Sequence, residues 1–171
     1  MNIELVLGDI TTAGTEIIVT AANERLAGGG GVDGAVHRAA GPELLDSLRD
    51  FGGCPTGDAV STAAYGLEKG GTHYVVHAVG PVWRGGGHGE DELLASAYRQ
   101  SIKRAVELFS VSVALPSIST GVYGFPIERA APIAIEAVRD ELRNDSGHLA
   151  RVVFYLFDES TFRHFESALV G

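Results

Sequence analysis

The sequence holds a single cysteine, Cys54, in 171 residues. No intrachain disulfide can form, and a reducing compartment, the cytoplasm, is the expected location. No stretch approaches ~18 consecutive apolar residues, so no membrane-spanning helix is expected. The segment Met1–Gly8 lacks a basic stretch followed by an apolar run, so no export signal is expected either. Cations are scarce: 13 Lys and Arg stand against 22 Asp and Glu, a net charge of −9. A protein that tracks nucleic-acid phosphates needs clustered Lys and Arg. No basic stripe is present, and the Lys103–Arg104 pair lies on a helix otherwise flanked by acids. Nucleic acid is therefore not an expected partner. If an anionic ligand binds, main-chain N–H groups must do most of the holding.

What is plentiful is glycine, 23 residues grouped in clusters without a fixed period. Hydrophobic residues make up 45% and charged residues 20%, an ordinary globular composition. The length suits one domain over residues 1–171, large enough to hide roughly 70% of the surface of its unfolded chain. A monomer is the default expectation.

Strand-like and helix-like segments alternate. Ile3–Leu7 and Glu16–Ala22 read as strands, the second with the continuous apolar run of a strand covered on both faces. Val32–Ala40 reads as a helix ended by Gly41, and Pro42 suits the first position of another helix reaching about Phe51. Asp58–Ala64 and Thr72–Val79 are strands with Gly70–Gly71 turning between them. From Glu90 to about Phe109 the residues Leu94, Tyr98, Ile102, Ala105 and Phe109 recur at helical spacing on one apolar face. A strand at Val111–Leu115, a helix at Ile127–Leu142, a strand at Arg151–Phe157 and a helix at Ser160–Leu169 complete the series. Such alternation predicts a mainly parallel sheet between layers of helices.

Ligands of such sheets sit beyond the carboxyl ends of the strands. Two glycine-bearing loops leave strands there, one running from Asn23 through Gly28-Gly29-Gly30-Gly31 to Asp33, the other from Pro116 to Pro126. Four consecutive glycines cost backbone entropy. Between a buried strand and a helix they are best explained by close approach of main-chain N–H groups to a phosphate or sugar. The run matches neither the dinucleotide fingerprint nor the P-loop. Locally, Asn23 could cap a turn and Asp33 a helix. Together over a glycine floor they could instead bind sugar hydroxyls and position a water. Asp9 could cap a turn or accept a hydrogen bond from a purine amino group. His73 and His77 fall four apart on one strand, far from each other and without a third ligand, so a zinc role is not expected. His37 lies one helical turn beyond Asp33 and reads mainly as a packed structural histidine. Trp83 and the segment Gly85–Gly89 read as surface loop without an assigned role.

Five motifs in order, Gly8-Asp9-Ile10-Thr11, Ala21-Ala22-Asn23, Gly28–Gly41, His77–Pro81 and Ser119–Pro126, resemble the macrodomain family, and in particular its MacroD-type ADP-ribosyl hydrolases. The likeness runs from about Glu4 to the final helix. It implies a three-layer α/β/α fold around a central mixed, mostly parallel sheet of about six strands. It also implies a cleft that holds ADP-ribose without a metal or other cofactor. On that resemblance Asp9 receives the adenine amino group and Ile10 follows with its N–H. Ala22 belongs to the ADP-ribose-binding residues, Asn23 lies at the distal ribose, and Gly29, Gly30, Gly31 and Val32 line the distal ribose and diphosphate. Ser119, Thr120, Gly121, Val122 and Tyr123 cradle the diphosphate, Phe125 stands beside the distal ribose, and Phe157 is the adenine-side aromatic. Asp33 and Asn23 are the implied catalytic residues. Where many relatives carry Asn, this chain has Thr20, which keeps a hydroxyl and loses an amide, with an expected effect on rate more than on binding.

The implied activity is hydrolysis of the ester between the distal ribose and an Asp or Glu side chain or an acetyl group. The implied partners are ADP-ribose, O-acetyl-ADP-ribose and mono-ADP-ribosylated proteins. A non-catalytic ADP-ribose reader would share the cleft. A nucleotide- or RNA-binding module lacks its basic or aromatic platform, and a serine hydrolase lacks a Gly-x-Ser-x-Gly elbow.

Overall fold

The computed structural model describes residues 2–145 and 147–171. Six strands form one sheet: β1 (Ile3–Leu7), β2 (Ile17–Ala22), β3 (Ala59–Ala63), β4 (Tyr74–Val79), β5 (Ser112–Leu115) and β6 (Arg151–Leu156). Their order across the sheet is β1-β6-β5-β2-β4-β3. Every neighbouring pair is parallel except β3 with β4. The expected mixed, mostly parallel six-stranded sheet is present. Five helices flank it: α1 (Gly31–Ala40), α2 (Pro42–Leu48), α3 (Glu90–Glu107), α4 (Ile127–Asn144) and α5 (Glu159–Val170).

The strands are apolar on both faces because each face meets helices. Ile17 and Val19 of β2 and Val76 and Ala78 of β4 face α3, α4 and α5, within a core that includes Leu94, Ile102, Val138 and Phe165. The alternate residues, Ile18 and Val75, face α1 and α2 and pack with Val36, Ala40 and Leu44. Burial of one such side chain stabilises the fold by about 1.5–3 kcal/mol. The period-2 alternation then places Thr20 and His77 on the α1 side as well, and the register sets them directly opposite each other. That pair of inward polar residues is buried beneath α1.

Three details depart from the sequence reading. A short 3-10 helix, Ile10–Thr12, follows β1, with Asp9 as its N-cap. A second, Tyr65–Gly70, occupies most of the connection expected to be a Gly70–Gly71 turn, and β4 begins only at Tyr74, leaving His73 outside it. Phe109 lies beyond the end of α3 with a left-handed φ of 55° and is exposed, so it does not extend the apolar face of that helix. Helical spacing could not show that the chain turns away at Leu108. No helix among the described residues is long and apolar enough to cross a membrane.

Candidate functional site

Because β1, β6, β5, β2 and β4 run parallel, their carboxyl ends share one edge of the sheet. The loops after β2 and β5 leave from adjacent strands, so they must meet above that edge. Between them lies a cleft of about 270 Å³, lined by residues 21–23 and 28–33 of the first loop, Gly80 beyond β4, and residues 117–119 and 121–123 of the second. The convergence anticipated from the two glycine loops is therefore present.

The first loop explains its glycines by what they leave open. Gly29 and Gly30 have no left-handed φ, and a Cβ on either would meet nothing within 4 Å. The fold itself does not require glycine there, and both positions open onto the cleft. Gly34 is different, since a Cβ there would strike the Gly29 carbonyl, so glycine lets the loop lie against the first turn of α1. The first helical hydrogen bond runs from the Gly34 N–H to the Gly30 carbonyl at 3.1 Å. Among the described residues the N–H groups of Gly31, Val32 and Asp33 donate to no protein acceptor, as the geometry of a helix N-terminus dictates. They present an anion-binding end to the cleft.

The second loop is anchored from below. The buried Tyr98 hydroxyl accepts from the Ile118 N–H and donates to the Pro116 carbonyl, both at 2.8 Å. The Phe125 N–H closes the loop on the Ser119 carbonyl at 2.9 Å. Ser119 adopts a left-handed φ of 67°, a strained conformation for a residue with a side chain. Gly80 makes room for it: a Cβ there would collide with Ser119 Oγ and Ile118 Cγ2. Among the described residues, the N–H groups of Ser119, Thr120, Gly121, Val122 and Tyr123 donate no hydrogen bond. Val122 at the lip is 99% exposed. Thr120 does not line the cleft, and its hydroxyl pairs with Ser117 Oγ at 2.7 Å, bracing the turn.

Beneath the first loop lies the one buried carboxylate on the cleft wall, Asp33, 5% exposed. Burial raises its pKa; the neighbouring His37, with Nε2 3.5 Å from Oδ1, and a hydrogen bond from Thr20 Oγ1 to Oδ1 at 3.0 Å pull the other way. Thr20 thus supports the carboxylate directly, a role the sequence reading did not assign. His77, wholly buried, is driven down to about 3 by burial and then by the charge of His37, so it is neutral. Its Nε2 lies 2.9 Å from Thr62 Oγ1. Asn23 is committed to shaping the loop: Nδ2 donates to the Gly28 carbonyl at 2.8 Å, and Oδ1 accepts from the Ala27 N–H at 3.1 Å. Tyr123 lines the cleft, and its hydroxyl pKa is raised by burial and by the charges of Glu24 and Asp33.

At the other end, Asp9 and Phe157 follow the paired strands β1 and β6. Asp9 Oδ1 accepts from the Thr11 N–H and Oγ1 at 2.9 and 2.8 Å, and Ile10 is buried behind it. Phe157 is 83% exposed, an aromatic face without a core role. None of these three lines the cleft itself. Nor does Phe125, which is 1% exposed and packs on Trp83 at a ring separation of 4.8 Å. It supports the wall from within instead of standing free beside a ligand. Trp83 belongs to a strap that the sequence left without a role. The Trp83 N–H donates to the Tyr123 carbonyl at 2.8 Å, and the N–H groups of Arg84, Gly86 and His88 converge on the Glu90 carboxylate. Burial alone would raise Glu90, but those donors hold its pKa down to about 2.

A layered α/β/α protein with two adjacent N–H-rich loops and a buried acid over the carboxyl edge of its sheet defines an anion-receiving cleft that uses no cationic clamp. The Macro domain family profile matches residues 19–134. A macro domain-containing protein of Chlorobaculum tepidum is 50% identical over 99% of this chain and 96% of its own length. An O-acetyl-ADP-ribose deacetylase of Escherichia fergusonii is 47% identical over 98% of this chain and 95% of its own length. Among solved structures, a Trypanosoma brucei macrodomain in complex with ADP-ribose superposes with a TM-score of 0.89 at 39% identity, covering 99% of this chain and 69% of that one. The chain belongs to the macrodomain family.

Proposed function

We propose that this protein binds ADP-ribose and hydrolyses the ester that joins its distal ribose to an acetyl group or to an Asp or Glu side chain. The observation that carries this reading is the pair of glycines, Gly29 and Gly30, whose missing side chains leave open space beside unpartnered N–H groups and the buried Asp33 carboxylate. Unpaired donors from both loops suit a pyrophosphate, the exposed Phe157 ring and the remaining Asp9 oxygen suit an adenine, and the Asp33 end suits the distal sugar. The names of the deacetylase relative and of the ADP-ribose complex support the same assignment.

In this mechanism a water held between the diphosphate and Asp33 attacks at the distal ribose ester. Its proton passes to the Asp33 carboxylate or to a phosphate oxygen as the carbon–oxygen bond breaks, and a carboxylate leaves. A carboxyl whose pKa is raised by burial is a better base than an exposed one, provided it is ionised. Asp33→Ala is expected to keep ADP-ribose affinity, read by titration calorimetry against AMP and NAD, while turnover falls ~10²–10⁴-fold. Equal turnover in that variant refutes the base assignment. A non-catalytic reader is the second reading, favoured by one observation: both ends of the Asn23 amide are already used within the loop. Release of ADP-ribose from an automodified transferase, or its absence, separates the two.

A further inference from the structure

We propose that Asp33, His37 and His77 form a binding site for a zinc-class divalent transition-metal ion, buried beneath the distal-ribose end of the cleft, and that its occupation inhibits hydrolysis. The binding claim stands on geometry alone; the inhibition claim rests on the function proposed above.

Two elements assemble the cluster. Asp33 and His37 are four apart on α1, so they project from one face of that helix. His77 comes from β4, opposite Thr20 in register and on the sheet face covered by α1. One ligand atom from each of the three residues lies within 4.8 Å of the other two. A cation at the centre of that triangle requires inward shifts of less than an ångström per ligand to reach bonds of about 2.0–2.2 Å.

The donors are chemically unspent. His37 Nε2 and His77 Nδ1 are both buried and have no hydrogen-bond partner. His77 is 0% exposed, so water outside the protein cannot satisfy it, and an orphaned polar atom in the interior is costly. The surrounding bonds also set the tautomer. Thr62 Oγ1 donates to the Ala63 carbonyl at 3.1 Å, which leaves it to accept from His77 Nε2–H at 2.9 Å and leaves Nδ1 a bare lone pair free for a cation. Thr20 Oγ1, on Asp33 Oδ1, fixes the carboxylate in the same way. Two imidazoles and one carboxylate, each with an outer hydrogen bond or packing partner, form the donor set that zinc and its neighbours prefer. Only three protein ligands are supplied, which leaves a fourth position for water. An ion here engages the carboxylate needed to activate the attacking water, so binding and hydrolysis compete.

The test uses the whole chain stripped with EDTA and dialysed against Zn²⁺, with Co²⁺ as a spectroscopic probe. One equivalent of Zn²⁺, and a Co²⁺ visible spectrum of four-coordinate intensity, are expected. His77→Gln and the less buried His37→Gln should each abolish that equivalent, and Thr62→Val should weaken it ~10–100-fold. Hydrolysis by the native protein should fall with Zn²⁺ and return with EDTA. Failure to bind one equivalent, or binding unchanged in both histidine variants that retain native circular dichroism, overturns the site. Stoichiometric binding that leaves turnover of the native protein untouched overturns the inhibition. Absence of hydrolysis and ADP-ribose binding even after EDTA treatment sinks the functional proposal and its inhibitory arm, while the dialysis still decides the metal site.

Discussion

At Asp33 three environments compete, and their balance decides whether the side chain can act as a base. Burial favours the protonated acid, whereas Thr20 and His37 favour the carboxylate. Thr20→Val removes one of the two opposing contacts without opening a large cavity. The pKa of Asp33 should then rise further, and the acid limb of the kcat/KM profile should move to higher pH while ADP-ribose affinity is retained; an unmoved limb would show that Asp33 is not the titrating base. His77 carries the complementary lesson in stability. Its folded value, about 3, lies below the ordinary 6.5, so the unfolded chain binds the extra proton between those limits. The neutral imidazole's contribution is complete above pH 6.5 and is lost as pH falls toward 3, at a slope approaching ~1.4 kcal/mol per pH unit. Denaturant titrations between pH 7 and 5 should show this loss in the native protein and a shallower one in His77→Gln. The sequence could not show this cluster: His77 stands 44 residues from Asp33 in the chain, and only the β2–β4 pairing brings it under α1. Spacing paired His77 only with His73, at long separation on a presumed common strand, and gave no reason to expect a metal; His73 lies outside β4.

Elements were more legible than their contacts. The apolar runs of β2, β4 and β6 and the helical periodicity of α3 and α4 fall where their residue types require, to within a residue or two at the ends, because burial on both sheet faces writes itself into composition. The 3-10 turns did not show, since three to six residues carry no period to read. The strap from Trp83 to Glu90 was also invisible: glycines 85, 86, 87 and 89 look like slack, yet three N–H groups of that segment close on one carboxylate. Because Trp83 is the sole tryptophan and packs on Phe125, it reports on the strap directly. The Glu90 pKa, about 2, is depressed from 4.5, so the strap's anchorage is complete above pH 4.5 and lost as pH falls through 2. Glu90→Gln should shift Trp83 emission to the red at neutral pH, and the native protein should show the same shift on acidification across that window. Identical emission in the variant would mean that the carboxylate does not hold the strap.

On the scale of the whole molecule, the net charge of −9 and a cleft meant for a pyrophosphate are in tension unless attraction is confined to short range. Main-chain N–H groups of residues 31–33 and 119–123 provide that confinement: their dipoles act within the cleft, while the surrounding carboxylates act over a Debye length. An approaching anion is therefore repelled at a distance and gripped on contact. A basic nucleic-acid surface has the opposite order, with long-range attraction that salt abolishes. Raising ionic strength from ~0.01 to ~0.15 M shortens the screening length from ~30 to ~8 Å. The association rate of ADP-ribose should consequently increase over that range, measured by stopped-flow, with the dissociation rate changing little because the contacts that hold the diphosphate lie inside the screened zone. An association rate that falls with salt would place a cationic steering surface at the cleft mouth, and the backbone would then not be the principal holder of the ligand.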